Sequence, residues 1–169
     1  MLSLERVSAL LSYDQETGLL TWKVSPSNNI KAGQAAGAIS DRGYLRVRIN
    51  YKQYPAHRLA WMLGHGYYPE HEVDHINGNK LDNKLANLRL ASRSQNNANM
   101  LLRKDNTSGF KGVSWRPHNK KWVARMSING KRKTIGHFAT KEEAAQAYIN
   151  YSLIHQCEFS PFKNRNTPR

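Results

Sequence analysis

Seven asparagines crowd the stretch Glu72–Asn99, EVDHINGNKLDNKLANLRLASRSQNNAN, and they limit what it can fold into. Asparagine is a poor helix former and a good turn former. The middle of the stretch is therefore not regular helix. Glu72 to His75 reads as a short strand ending in INGN, a Gly-containing turn. LDNKLANL reads as a structured loop, and Leu88 to Ala91 as the return strand. Ser92 or Ser94 can cap a helix running through about Leu102. The order is strand, long loop, strand, helix, and the first strand carries the adjacent pair Asp74 and His75.

Elsewhere the punctuation is equally clear. Leu2, Leu4, Val7, Leu10 and Leu11 recur at helical spacing, which predicts a short helix over 3–12. In YDQETGLLTWK, Gly18 separates two half-strands. Tyr44, Arg46 and Arg48 alternate with Leu45, Val47 and Ile49, and NYKQ can turn that strand back. His57 to Leu63 reads as a short helix ended by Gly64 and Gly66. Beyond RKDNTSG come three β-like runs, GFKGVSWRP, KWVARMSI and KRKTIGHF, the last two joined by Asn129-Gly130, a type I′ hairpin signal. Ala139 to His155 then reads as a helix with Thr140 as N-cap and a small-residue face of Ala144, Ala145 and Ala147 with Tyr148 and Tyr151. The fold class is α+β, in two modules. Residues 1–102 form the first, with a β-rich leader, 103–108 a linker, and 109–169 a three-stranded antiparallel sheet with one helix.

Charge points to a partner. The 169 residues carry a net charge of +14. Residues 101–169 hold 14 Lys and Arg against 4 Asp and Glu, so most of the excess lies in the second module. An excess of that size, clustered with aromatics, implies nucleic acid rather than solubility alone. A single cysteine, Cys157, excludes a disulfide within the chain and a cysteine-rich zinc site. No apolar run approaches a membrane span and the first residues lack a signal-peptide pattern, so the expectation is a cytoplasmic protein.

An adjacent carboxylate and imidazole on a β-β-α pattern suit one-metal phosphodiester hydrolysis. That reaction needs a base for water, a cation for the phosphate charge and ligands for the cation. Oxygen ligands suit Mg²⁺ or Mn²⁺, and Asp74 and an asparagine amide can supply them. His75 can be the base, being largely neutral at physiological pH. Set against this, Asn77, Asn79 and Asn83 read as turn and cap residues only. His57 reads as packed or facing DNA and His71 as surface. Zinc held by these histidines is a weaker rival, without cysteines or paired-His helix spacing.

DHINGN, DNKLANLR and SQNNAN resemble the HNH endonuclease family, the ββα-metal fold, and especially its phage homing branch. YDQETGLLTWK, GYLRV and AHRLAW resemble the leader of that branch, so the likeness covers about residues 10–100. The resemblance implies Asp74 and Asn96 as ligands of one Mg²⁺ or Mn²⁺ ion, with Asn97 the neighbouring alternative to Asn96. It implies His75 as general base and Asn87 as the residue that bonds the loop backbone and holds the surroundings of His75. It also implies 5′-phosphate and 3′-hydroxyl ends; one site per chain implies a nick in one strand, or a double-strand cut where the protein dimerises or acts twice.

FKGV, RP, the KW-VA strand, IGHF and T-EEAA-AY resemble the AP2 DNA-binding domain over about residues 107–162. Carried over by position, Lys111, Ser114, Arg116, Arg125, Ser127, Arg132 and Thr134 would face DNA. Ser114 and Thr134 stand where that family usually has Arg and Trp, so its usual target sequence does not transfer. Trp115 and Trp122 fit either β-sheet readout or a small core, with core favoured for Trp122. Most of the basic side chains are expected on phosphate.

The expected whole is a divalent-metal-dependent, phage-encoded DNA endonuclease of the homing type. It acts on double-stranded DNA in the bacterial host as a monomer or weak dimer, with no membrane or protein partner. The rivals are a non-catalytic DNA-binding regulator that kept the fold, and a nuclease acting on RNA or on nucleic-acid structure.

Overall fold

The structure, a computed structural model, describes residues 2–100, 102 and 105–163. Arg103 and Lys104 of the expected linker lie outside the described residues. The chain forms two compact units, Met1–Ala91 and Ser92–Arg169. This division falls ahead of the helix that follows the return strand, whereas the sequence placed a linker at 103–108. The architecture is α+β, with small antiparallel sheets throughout.

In the first unit, α1 (Leu4–Leu10) is capped by Ser3 and runs directly into β1 (Leu11–Tyr13). β1 pairs with β2 (Leu20–Trp22) around the turn that contains Gly18, φ +76°. β3 (Ala38–Ile39), β4 (Leu45–Ile49) and β5 (Lys52–Pro55) form a three-stranded sheet. The β4–β5 turn places Asn50 and Tyr51 both at positive φ, the type I′ geometry that matches the twist of a hairpin. On β4, Val47 and Ile49 are buried while Arg48 is exposed, so the alternation in the sequence is the alternation of the faces.

α2 (Ala56–His65) extends past Gly64 and stops at Gly66, whose φ of +80° closes the helix C-terminus onto the Met62 carbonyl. Gly64 serves packing instead. A Cβ there would lie 2.7 Å from Leu85 Cδ1. Ala56, Leu59 and Met62 share a core with Val7, Leu11 and Trp22. Trp61 and Ala60 turn to another side and meet Val73 and Leu88. Those two residues belong to β6 (Glu72–His75) and β7 (Leu88–Ala91), which pair antiparallel with Asp74 opposite Arg89 and His75 opposite Leu88. A 3₁₀ turn, Leu85–Asn87, leads into β7.

The second unit begins with α3 (Arg93–Asn99), closed at its start by a reciprocal capping box between Ser92 and Gln95. It ends at Asn99, ahead of the expected Leu102, and Lys111 Nζ donates to the carbonyls of Ala98 and Met100, 2.6 Å each. A cation on the last carbonyls of a helix satisfies groups the helix cannot. β8 (Val113–Arg116), β9 (Lys121–Ile128) and β10 (Lys131–Phe138) form an antiparallel sheet, with Asn129 and Gly130 both at positive φ in the last turn. α4 (Lys141–His155) starts with a Thr140–Glu143 capping box. It lays Ala144, Ala145 and Tyr148 on Val113, Ala124 and Met126, the small residues letting helix and sheet approach closely.

Candidate active site and nucleic-acid interface

β6 holds Asp74 and His75 at successive positions, and both are buried, 6% and 4% exposed. Their partners come from the structure around the strand. Arg89, opposite Asp74 on β7, donates from Nε and Nη2 to the same oxygen, Asp74 Oδ2, at 3.0 and 2.9 Å. These two bonds hold the carboxylate in one orientation. Burial sets the imidazole. It pushes the His75 pKa below the ordinary histidine value, opposed by a hydrogen bond with Asn83 and by the Asp74 charge. His75 is thus biased toward the neutral form that can accept a proton.

Two rings back the imidazole. His57, on α2, sits with its centroid 5.0 Å from His75, edge to face, and Tyr44 lies 5.5 Å from His57. Burial first, then the nearby His75 and Arg58, push the His57 pKa down to about 3. His57 is therefore a neutral packed residue. Lys80 Nζ lies 4.5 Å from the Tyr44 ring centre and brings a positive charge to the same side.

Asn87 ties the long loop shut. Its Oδ1 accepts from the Asn77 N–H at 3.0 Å, and its Nδ2 donates to the Asp82 carbonyl at 2.7 Å and to Asn77 Oδ1 at 3.0 Å. Asn77 and Asn79 make local Asx-type bonds to Asn79 N and Leu81 N. Asn83 does more than shape a turn. It is 2% exposed, and its Oδ1 lies 3.0 Å from His75 Nε2. Sequence reasoning passed over it because an asparagine among seven in one stretch gives no sign of which is buried.

Of the residues singled out from the sequence, the first unit brings Asp74, His75 and Asn87 together. Asn96 lies on α3 of the second unit. Among the described residues no group of three or more His, Cys, Asp or Glu side chains is placed to hold a metal ion. A carboxylate oxygen and an asparagine amide oxygen are a hard donor set, which fits Mg²⁺ or Mn²⁺, ions that retain several waters.

The β8–β9–β10 sheet sorts its side chains by register. Ser114 lies opposite Val123, Arg116 opposite Lys121, Arg125 opposite Thr134 and Ser127 opposite Arg132. Opposed residues of antiparallel strands share a face. Ser114, Arg116, Arg125, Ser127, Arg132 and Thr134 therefore stand together on the side away from α4, with Lys121 and His137 beside them. Lys111 precedes β8 and is engaged with α3 instead. Trp122 packs into the α4-facing core, and Trp115, 44% exposed, lies against it with ring centres 5.2 Å apart and planes tilted by 59°.

Residues 54–98 match the family model for HNH endonuclease, and residues 108–153 the model for AP2 domain. Protein 3.8 of Escherichia phage T7 is 34% identical over 122 residues, which cover 69% of this chain and 100% of that protein. This chain belongs to the HNH endonuclease family. An uncharacterized HNH endonuclease of Acanthamoeba polyphaga mimivirus is 42% identical over 76 residues, 45% of this chain and 38% of that protein. Among solved structures, the HNH homing endonuclease I-HmuI, described for DNA binding and cleavage, superposes with a TM-score of 0.42 at 21% identity, covering 86% of this chain and 80% of that one. The first unit thus carries the HNH match up to β7, and the second carries an AP2 domain. No helix among the described residues is long and apolar enough to cross a membrane.

The first unit has a basic surface of its own. A groove of about 1210 Å³ is lined by Arg6, Arg46, Arg48, Tyr51 and Gln53 among others, and among the described residues no carboxylate lines it. The Arg48 guanidinium lies 5.8 Å from the centre of the Tyr51 ring.

Proposed function

We propose that this HNH-family nuclease is a divalent-metal-dependent DNA endonuclease of the homing type, with His75 as its general base. The observation that carries this reading is the buried pair on β6, a carboxylate clamped by Arg89 beside an imidazole kept neutral by burial. His75 accepts a proton from a water as the water oxygen bonds to phosphorus and the bond from phosphorus to the 3′ oxygen breaks. The departing 3′ oxygen takes a proton from solvent, so the products are a 5′-phosphate and a 3′-hydroxyl. A bound Mg²⁺ or Mn²⁺ would neutralise the charge that develops on the phosphate and the leaving oxygen. Asp74 and Asn96 are the proposed ligands for one such ion, hard oxygen donors both. Arg89 fixes which way Asp74 presents its carboxylate. Asn87 keeps the loop closed behind the base. One site per chain gives a nick.

Ser114, Arg116, Arg125, Ser127, Arg132 and Thr134 are proposed to meet double-stranded DNA as one face, mostly at phosphates. The net charge of +14 supports that partner. The domains are proposed as a nuclease module over 1–102 and an AP2 module over 109–169. A phage gene acting in a bacterial cytoplasm fits the T7 relative, and the proposed state is a monomer or weak dimer.

The test is cleavage of supercoiled plasmid carrying candidate target. Nicking is expected with Mg²⁺ and not with EDTA, and His75→Ala is expected to lose on the order of 10²- to 10⁴-fold in rate, the usual contribution of a general base. Undiminished cleavage by the variant removes His75 from this role. No cleavage of any DNA by the wild type would favour a DNA-binding regulator.

A further inference from the structure

We infer that Asn83 is a positioning residue that fixes the tautomer of His75, and that the first hairpin of the chain is what holds Asn83 in place. The inference rests on the general-base reading of His75 given above. Its geometric core is the buried contact between Asn83 Oδ1 and His75 Nε2, 3.0 Å.

An amide oxygen can only accept a hydrogen bond. With Oδ1 toward the ring, Nε2 carries the proton and Nδ1 carries the lone pair. The other end of the amide decides which way it faces. Asn83 Nδ2 points to the Leu81 carbonyl at 3.5 Å. Turning the amide over would set Oδ1 against that carbonyl, two acceptors face to face in a buried site, at a cost comparable to an unmade buried hydrogen bond. The observed orientation also suits both states of a base. Once Nδ1 has taken a proton, Nε2–H still donates to Oδ1. The reversed amide would instead meet the imidazolium N–H with an N–H.

Asn83 is itself anchored through its main chain. Tyr13, at the end of β1, donates its hydroxyl to the Asn83 carbonyl at 2.7 Å. The Leu85 N–H donates to the Gln15 carbonyl at 3.2 Å. Gly18 lies so close that a Cβ on it would come within 2.6 Å of the Asn83 carbonyl carbon and 2.5 Å of Lys84 N. Three consecutive contacts from one hairpin thus seat the short segment 83–85. The leader hairpin is in this way part of the nuclease, although none of its residues carries the chemistry.

The experiment reads the tautomer directly. Long-range ¹H–¹⁵N correlation of labelled, metal-free full-length protein is expected to show His75 as the Nε2–H tautomer. Asn83→Asp, which keeps an acceptor of the same size, should preserve that pattern. Asn83→Ala should give a mixture of tautomers and a DNA-cleavage kcat lower by on the order of tenfold or more, within the range a general base contributes, with KM for DNA unchanged. An Nδ1–H tautomer in the wild type overturns the inference whether or not the variants fold. So does an Asn83→Ala protein that keeps the wild-type tautomer and rate. If His75→Ala cleaves like the wild type while the Nε2–H pattern holds, the general-base reading fails and the assignment of Asn83 to the tautomer stands.

Discussion

His57 illustrates how much a single buried ring can impose. It is 9% exposed and its pKa is pushed down to about 3, against about 6.5 for an exposed histidine. Between those values the unfolded chain binds the proton and the folded chain does not. Stability therefore rises with pH across this window and is lost as pH falls through it, by about 1.4 kcal/mol per unit. Urea denaturation of wild type and His57→Gln from pH 7 to pH 5 isolates the effect, since the other titrating groups are common to both. The variant is expected to show the shallower loss, and equal slopes would mean that His57 is not held neutral. Adjacency on one strand drew attention to Asp74 and His75, because neighbours in sequence are local information, whereas Asn87 came only with the family resemblance. The sequence did not flag Asn83, Arg89 or His57 as neighbours of the pair. Those contacts depend on strand register and on a helix packing against a hairpin, which no local pattern encodes.

The elements themselves were largely legible, for identifiable physical reasons. Capping chemistry announces the start of α4, where Thr140 and Glu143 bond reciprocally. The Asn129-Gly130 pair announces the β9–β10 turn. Glycines were harder, since the same residue serves turns and close packing. Gly64 looked like a helix stop and is a packing site. Gly112, inside FKGV, is a sharper case. Its φ is +72°, its carbonyl accepts from Arg125 N at 2.8 Å, and a Cβ would collide with the Tyr148 ring and come within 2.6 Å of the Arg125 carbonyl. Neither neighbour can yield without moving β9 or α4. Gly112→Ala is expected to destabilise the second unit by roughly 2–4 kcal/mol, the sum of backbone strain and overpacking. Chemical denaturation followed by Trp115 and Trp122 fluorescence measures this, and a loss below about 0.5 kcal/mol, the scale of an ordinary surface change, would contradict the packing.

For the molecule as a whole, charge and register combine. Arg116, Lys121, Arg125 and Arg132, scattered over three strands in the sequence, stand on one sheet face because antiparallel pairing collects alternate positions, while Lys131 and Lys133 stand on the other. If the face with the arginines meets phosphates, Arg116, Arg125 and Arg132 should each displace about one counterion. Replacing all three with alanine is expected to reduce the slope of log K against log salt by roughly 3, measured on the full chain with duplex DNA. An unchanged slope would move the DNA interface elsewhere. The bond from Tyr13 to the Asn83 carbonyl bridges 70 positions along the chain. So distant a pairing carries the entropic cost of closing a long loop before it returns any stability. The surroundings of His75 are thus complete only after the leader hairpin and the segment carrying Asn83 have both been synthesised and have met. A chain still growing on the ribosome cannot close this contact until Asn83 has followed Tyr13 out of the exit tunnel.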